Sequence, residues 1–253
     1  MDFTNKTILL TGASSGIGKA IAEALSNYNC KLILLSRRIE LLSSLKERLK
    51  NSKAEIHIEQ CDVSNKNEIK TVFQGILKQH GSIDLAILNA GVGHPVKLED
   101  YNSDFADETF HVNVLGMIYC IEQLLPSFLE RKKGIIAGVS SLADNRGFAG
   151  SGFYCASKAA ASVYLESLRV ELSNYGVKVL TIKPGFVKTA MTDKNQFEMP
   201  FLMQPEKAAR IIVNGIEKEK SIIQFPFPII LSTRLVGLLP NWFYFFLAKR
   251  VKV

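Results

Sequence analysis

Tyr154 and Lys158 sit four residues apart in the stretch YCASK, within a segment whose apolar spacing is helical. On a helix, positions i and i+4 share a face, so the phenol and the amine can address the same space. A free phenol has a pKa of about 10 and moves protons poorly at neutral pH. Bringing it to about 7 takes roughly 4 kcal/mol of preference for phenolate. A cation about 4 Å away, at an effective dielectric near 20, supplies about that much. The pair is therefore a candidate acid/base device with Lys158 lowering the phenol. An isolated YxxxK is more often two ordinary helix residues, so the rest of the chain has to decide.

The elements that would carry this pair alternate strictly. TILL (7–10), KLILL (31–35), EIHI (55–58), DLAIL (84–88), GIIAGV (134–139) and VKVLTI (177–182) read as buried parallel strands. Between them lie IGKAIAEAL, LLSSLKERLK, EIKTVFQGILKQ, a stretch from about 104 to 131, and a segment from 154 to 174, all with helical apolar spacing. Strict βαβ alternation predicts an α/β fold: a Rossmann-like, doubly wound parallel sheet in three α/β/α layers. The 253 residues suit one domain, read as 1–224, with an apolar, basic C-terminal extension at 225–253.

Composition narrows the function classes. Hydrophobic content of 47% with 22% charged residues is that of a globular protein. Cys30, Cys61, Cys120 and Cys155 are scattered through predicted strands and helices without a CxxC pair, which predicts buried thiols and a reducing, cytoplasmic compartment. The start, MDFTNKTILL, lacks the regions of a signal peptide, and no uninterrupted apolar run reaches about 18 residues. A net charge of +7 invites a nucleic-acid reading, but no basic cluster interleaves with stacking aromatics in the body of the chain. His57, His80, His94 and His111 have no ligand spacing, so no metal site is expected.

Sheets of this kind bind ligands beyond the carboxyl ends of their strands. After the first strand comes TGASSGIG (11–18), where Gly12, Gly16 and Gly18 let a backbone turn tightly and a pyrophosphate approach the amides. Its GxxxGxG spacing departs from GxGxxG, but the strand-to-helix context favours phosphate binding over a plain turn. After the second strand, Ser36-Arg37-Arg38 offers cations and no acid before Glu40, which favours a 2′-phosphorylated ribose, hence NADP over NAD. Asp62 follows the third strand and Asn89-Ala90-Gly91 the fourth; Asp62 is a ligand contact or a helix cap, with Ser64 the better cap candidate, and Asn89 a contact or a turn residue.

Together these motifs resemble the short-chain dehydrogenase/reductase family, from about residue 5 to about residue 217. The resemblance identifies TGASSGIG, with Ser14, Ser15 and Ile17 among its glycines, as the cofactor turn, Asp62-Val63 as the adenine contact, and NAG (89–91) as the motif steadying the sheet beside the cofactor. It implies a catalytic set of Asn113, Ser141, Tyr154 and Lys158, Ser141 being chosen over Ser140 because it lies 13 residues before Tyr154. Pro184 and Gly185 open PGFVKT (184–189), the nicotinamide segment, with Val187 and Thr189 nearest the carboxamide. Many NADP-preferring members carry a basic residue where this chain has Ser15, so NADP(H) preference rests mainly on Arg37, with Arg38 in support. The implied chemistry is carbonyl reduction or its reverse. Tyr154 is the general acid, Lys158 lowers its pKa and holds the nicotinamide ribose, Ser141 holds the carbonyl oxygen, and Asn113 positions a water leading to Lys158. A homodimer or homotetramer is implied through the helices at 104–131 and 154–174.

Substrate choice is expected from 92–103, 142–153 and 186–204. The last carries Met191, Met199, Met203, Phe197 and Phe201, which either line an adaptable apolar cleft or pack a lid on its own core. The small-molecule substrate is expected to be a hydrophobic ketone or secondary alcohol. Alternatives are a weakly active NADP-binding scaffold and a lipid-metabolising ketoreductase at a membrane surface. Residues 221–253 hold four cations, no acid and seven of the 23 aromatic residues. A helix starting at Pro240 and running to Arg250 would span about 16 Å against a bilayer core of about 30 Å. It can lie in the interface on Trp242, Phe243, Phe245 and Phe246, with Lys249, Arg250 and Lys252 each gaining roughly 1 kcal/mol from anionic headgroups. Equally, it can cover the cleft or pack on a partner subunit.

Overall fold

The computed structural model describes residues 1–195 and 197–249. Seven parallel strands form its sheet in the order β3-β2-β1-β4-β5-β6-β7. These are β1 (Thr7–Thr11), β2 (Lys31–Ser36), β3 (Glu55–Gln60), β4 (Leu85–Leu88), β5 (Gly134–Val139), β6 (Val177–Pro184) and β7 (Ile222–Phe225). β4 and β5 are buried along their whole length, as their unbroken apolar sequences require, whereas β3 at the sheet edge is only partly covered and carries Glu55 and Glu59. The order reverses beside β1, which pairs with β2 on one side and β4 on the other. Connections that leave to opposite sides there open a crevice at the strand ends.

The helices α1 (Gly16–Leu25), α2 (Ile39–Arg48) and α3 (Lys66–His80) follow the first three strands. The α3 cap is Asn65, whose Oδ1 accepts from the amides of Asn67 and Glu68, and not Ser64 as expected. Ser64 is engaged elsewhere, donating its amide (2.9 Å) and hydroxyl (2.7 Å) to Asp62 Oδ1. α4 (Asp104–Phe110) runs through a π-helical turn, His111–Leu115, into α5 (Gly116–Arg131), and α6 (Gly152–Leu172) follows β5. Residues Asp104–Arg131 are long and apolar enough to cross a membrane by composition. Here Met117, Cys120, Ile121, Leu124 and Phe128 are buried in one core layer with Leu9, Ala86 and Ile136 of the sheet. Each such side chain contributes roughly 1.5–3 kcal/mol by leaving water.

A second layer on the opposite face holds Ile8, Leu10, Ala20, Ile21, Leu25, Ile212 and Ile216. Ile212 and Ile216 belong to α7 (Pro205–Glu217), an amphipathic helix with proline in its first turn that was not among the expected elements. β7 is the other addition. Its register with β6, Thr181↔Ile222 to Pro184↔Phe225, draws Phe225 into the core. The extension then forms α8 (Phe227–Leu238) and α9 (Asn241–Ala248), with Pro240 at the cap of α9 close to the expected helix start. Arg250 and Lys252 lie outside the described residues.

Candidate active site

The residues expected at the site come to the carboxyl edge of the sheet, to the start of α6 or, for Asn113, to the π turn between α4 and α5. Gly12 and Gly16 take φ of +68° and +54°, a region costly for residues with a β-carbon, which lets the chain turn sharply from β1 into α1. A β-carbon on Gly18 would lie 2.2 Å from the Gly12 carbonyl oxygen, so no other residue fits there. Asn89 pins the turn by donating Nδ2 to the carbonyls of Thr11 (3.1 Å) and Gly12 (3.3 Å). Thr11 answers from β1, its hydroxyl accepting the amides of Asn89 (3.0 Å) and Ala90 (3.1 Å). Thr11 had no motif of its own in the sequence.

Beyond the turn, Ser14, Ser15, Ser36 and Arg38 form one polar group. Arg38 Nη2 donates to Ser14 Oγ (2.9 Å) and Ser15 Oγ (2.8 Å), and Ser36 Oγ donates to Ser14 Oγ (2.8 Å). Arg37 points elsewhere, toward Asp62 Oδ2 (3.7 Å) and Glu108 Oε1 (4.0 Å). Guanidinium and hydroxyl donors beside amide-rich backbone are the chemistry of a phosphate site. Val63 and Val187 turn their side chains into the core, leaving main chain at the edge. Val187 is fixed there by a bridge to Met203, and Gly185 donates its amide to the Phe225 carbonyl (2.7 Å). Pro184 ends β6, and Thr189 faces the first turn, its Cγ2 3.0 Å from where a Gly16 β-carbon would be.

The candidate acid/base residues, Tyr154 and Lys158, lie on α6 beside the end of β5. Lys158 is 4% exposed and its Nζ donates to the Val139 carbonyl (3.0 Å) while lying 5.7 Å from the Tyr154 ring centre. Asn113, in the π turn, spends its amide on Val92, accepting from N–H (2.8 Å) and donating to C=O (2.9 Å), and donates also to Ser157 Oγ (3.0 Å). Ser157 in turn donates to the Tyr154 carbonyl (2.8 Å), so Asn113 clips the π turn to α6. Its side chain is therefore a fastener between the π turn and α6. Ser141 lies close enough to Tyr154 to lower its phenol, and its Oγ accepts the Ala143 amide (3.1 Å), whereas Ser140 is occupied behind the site, donating to the Lys158 carbonyl (2.9 Å) and accepting from Ser162 (2.8 Å). Ser140 is thus turned away from the phenol, toward the back of α6.

The electrostatics differ from the expected pattern in one respect. Burial pushes the Tyr154 phenol above its ordinary value, only partly offset by Ser141, and Lys158 is not among the groups lowering it. Burial also pushes the Lys158 ammonium down to about 8. Both shifts have one cause, the cost of charge in a site with little water.

These residues fit a nicotinamide dinucleotide: the phosphate-type donors stand at one end of the crevice and a tyrosine-lysine pair at the other. Residues 6–199 match the family described as short chain dehydrogenase. The chain belongs to that family. A curated relative from Myxococcus xanthus, an uncharacterized oxidoreductase, is 34% identical to this dehydrogenase over 251 residues, 99% of both chains. Another uncharacterized oxidoreductase, from Listeria monocytogenes, is 30% identical, covering 88% of this chain and 94% of its own. A short-chain dehydrogenase/reductase from Burkholderia phymatum, solved with NAD, superposes with a TM-score of 0.84 at 25% identity, covering 93% of this chain and 94% of that one. A short-chain dehydrogenase from Sphingobium yanoikuyae, in complex with NADPH, shares the fold with a TM-score of 0.82 at 22% identity, covering 98% and 96% of the two chains. The dehydrogenase is thus an NAD(P)-dependent oxidoreductase of Rossmann-like fold.

Around Tyr154 the 186–204 segment divides its methionines. Met203 is buried core, while Met191 Sδ lies 3.5 Å from the Gly93 β position, beside Tyr154. Phe197 and Phe201 stay exposed, with Phe197 edge-on to Phe186. Arg146, which carried no sequence signal, ties the loop after Ser141 to the extension. It donates to Asn241 Oδ1 (2.9 Å) and to the carbonyls of Gly237 (3.2 Å) and Leu239, and lies over the Tyr244 ring at 5.0 Å. The cysteines are buried, with the Cys30 and Cys61 thiols pushed up to about 11 and about 12, so they are poor nucleophiles. His57 and His80 contact each other, His94 meets Glu108 at 2.8 Å, and His111 bonds the Asp107 carbonyl.

Proposed function

We propose that the protein is an NADPH-dependent carbonyl reductase, or the alcohol dehydrogenase of the reverse reaction, acting on a hydrophobic ketone or secondary alcohol. The observation that carries this reading is the buried Ser141 and Lys158 beside a half-buried Tyr154, facing Gly91 and Gly93, where a β-carbon would come within 3.4 Å of Lys158 Nζ and 3.0 Å of the Tyr154 ring. Bound nicotinamide supplies or accepts the hydride. Tyr154, kept protonated by burial, gives its proton to the carbonyl oxygen that Ser141 also bonds. Lys158, mostly ammonium one unit below a pKa of about 8, favours the phenolate left behind. The test is turnover of purified protein with NADPH across aliphatic, aromatic, steroid and acyl-thioester ketones. Absence of NADPH oxidation with every class would return the protein to the scaffold reading.

NADP preference is supported by Arg38, whose Nη2 bonds Ser14 and Ser15 at the turn, and on that ground we give Arg38 a larger share than Arg37. Charge-assisted hydrogen bonds contribute about 1.5–3 kcal/mol, so Arg38→Ala should raise KM for NADPH by roughly 10- to 100-fold and leave that for NADH nearly unchanged. Arg37→Ala should have a smaller effect, because its guanidinium is shared with Asp62 and Glu108. Equal KM values for NADH and NADPH in the wild type would refute the preference.

The subunits are proposed to pair through α5 and α6. Val163 and Val170 are two-thirds exposed on α6, beside a groove lined by Ile118, Leu125, Leu129 and Tyr164. Light scattering at micromolar concentration should give a dimer or tetramer, and Val163→Glu should shift it toward monomer. A monomeric wild type would exclude the pairing.

A further inference from the structure

The extension buries one side and leaves the other bare. Ile229 and Ile230 pack with Leu142, and Asn145 Nδ2 donates to the Thr233 carbonyl (3.0 Å), so the docked side of α8 runs through 229, 230, 233 and 237. At 100° per residue, Phe227, Leu231, Leu235 and Leu238 fall on the opposite side, and they are 74%, 50%, 56% and 82% exposed. α9 adds Trp242 and Phe245, 73% and 67% exposed, while its Tyr244 hydroxyl faces inward to the Gly147 carbonyl (2.5 Å). Contiguous rows of large exposed apolar groups mark surfaces that a partner or a membrane covers.

Charge says what covers it. Arg234 and Lys249 flank the row and are exposed, and residues 221–253 contain four cations and no acid. A second copy pairing through the same face would set these cations against their own kind with no carboxylate to answer them. An anionic bilayer answers them and takes tryptophan and phenylalanine at its boundary. α8 and α9, at 12 and 8 residues, are too short to span a core of about 30 Å. They suit a helix pair lying in the interface plane.

The placement of this face relates it to catalysis. α8 is held between the loop that follows Ser141 and the start of PGFVKT, where Pro226 Cδ and Ile229 Cγ2 lie 3.0 and 3.6 Å from the Gly185 β position. Phe148 on that loop is partly exposed, as are Phe201 and Leu202 on the 186–204 segment, so apolar surface borders the mouth as well as the extension. We infer that α8 and α9 seat the protein on an anionic lipid surface and that its substrates are carbonyl or hydroxyl groups on membrane-resident lipids. The substrate part rests on the reductase reading; the docking part does not.

Truncation after Gln224 is a poor test because it removes Phe225, Ile229 and Ile230 from the core. Full-length protein is instead sedimented with phosphatidylglycerol-containing vesicles and with pure phosphatidylcholine vesicles, at low and high salt. The expected result is salt-sensitive binding to the anionic vesicles, cut at least about tenfold in Leu231→Ser/Leu235→Ser/Trp242→Ser. Arg234→Glu/Lys249→Glu, which leaves the apolar row intact, should lose the anionic preference even if the triple variant folds poorly. Turnover of a short soluble ketone should be equal in all proteins, while a long-chain ketone embedded in vesicles should be turned over faster by the wild type. Wild type left in the supernatant at low salt, or charge-reversed protein that binds as well as wild type, would overturn the docking. A wild type that ignores vesicles and is a dimer dissociated by the triple variant would assign the row to a second copy. Vesicle binding with equal turnover of the embedded ketone by all variants would overturn the lipid-substrate part. Binding is read without turnover, so a failure of the reductase reading shows in the assay and a failure of docking shows in the pellet.

Discussion

Tyr154→Phe is expected to lower kcat by about a thousandfold, the middle of the range for a lost general acid. The ring should keep its place, since its packing beside Gly93 involves Cδ2 and Cε2 and not the hydroxyl. Cofactor affinity should therefore stay within about a factor of two, and the loss should fall on kcat because the phenol acts in the transition state. Because burial holds the phenol above its ordinary value, the wild-type protein should remain a competent proton donor through neutral pH. Measured kcat and cofactor Kd for the two proteins decide this, and a variant with near-normal kcat would remove Tyr154 from the mechanism.

Lys158→Met should abolish most turnover and yet make the protein more stable. Folding lowers the ammonium's pKa from 10.5 to about 8, so the unfolded chain holds a proton that the folded chain sheds between those values. Stability from this group therefore rises from pH 8 to 10.5, and its full cost is present below pH 8. At 1.36 kcal/mol per pKa unit the cost is about 3 kcal/mol, and the orphaned Val139 carbonyl offsets about 1 of that. Methionine should thus gain about 2 kcal/mol at pH 7, with the gain vanishing toward pH 10.5. Urea unfolding at the two pH values measures it. A variant less stable than wild type at pH 7 would show that the ammonium is well accommodated.

What the sequence made legible were the features that local chemistry enforces. Buried parallel strands must be apolar throughout, a phosphate turn must have glycine where φ is positive, and Tyr154 and Lys158 must share a helix face. β7 escaped because four residues, IIQF, carry no period, and its place is set by β6 alone. α7 does carry a local signal, its proline start and clean apolar stripe. The direction of the phenol shift could not be read from spacing, since it depends on how much water burial removes. Asn65 and Ser64 are interchangeable as cap residues by type, and only the claim of Asp62 on Ser64 separates them. Arg37 and Arg38 likewise differ in where their side chains turn, which adjacent positions in a string do not reveal. Arg146 meets groups more than 90 residues away in sequence, a contact with no local trace.

That last contact has a consequence for anyone redesigning the protein. Through Arg146, Asn145 and Gly147, the segment that follows Ser141 is bonded to Thr233, Gly237, Leu239, Asn241 and Tyr244. The two stretches form a single transplantable module. Grafting a loop from another family member would strand carbonyls along α8, and swapping the extension alone would strand the guanidinium. Altered selectivity in this scaffold calls for exchanging both pieces at once, or for editing the mouth from the 186–204 side, which holds itself in place through Val187 and Met203.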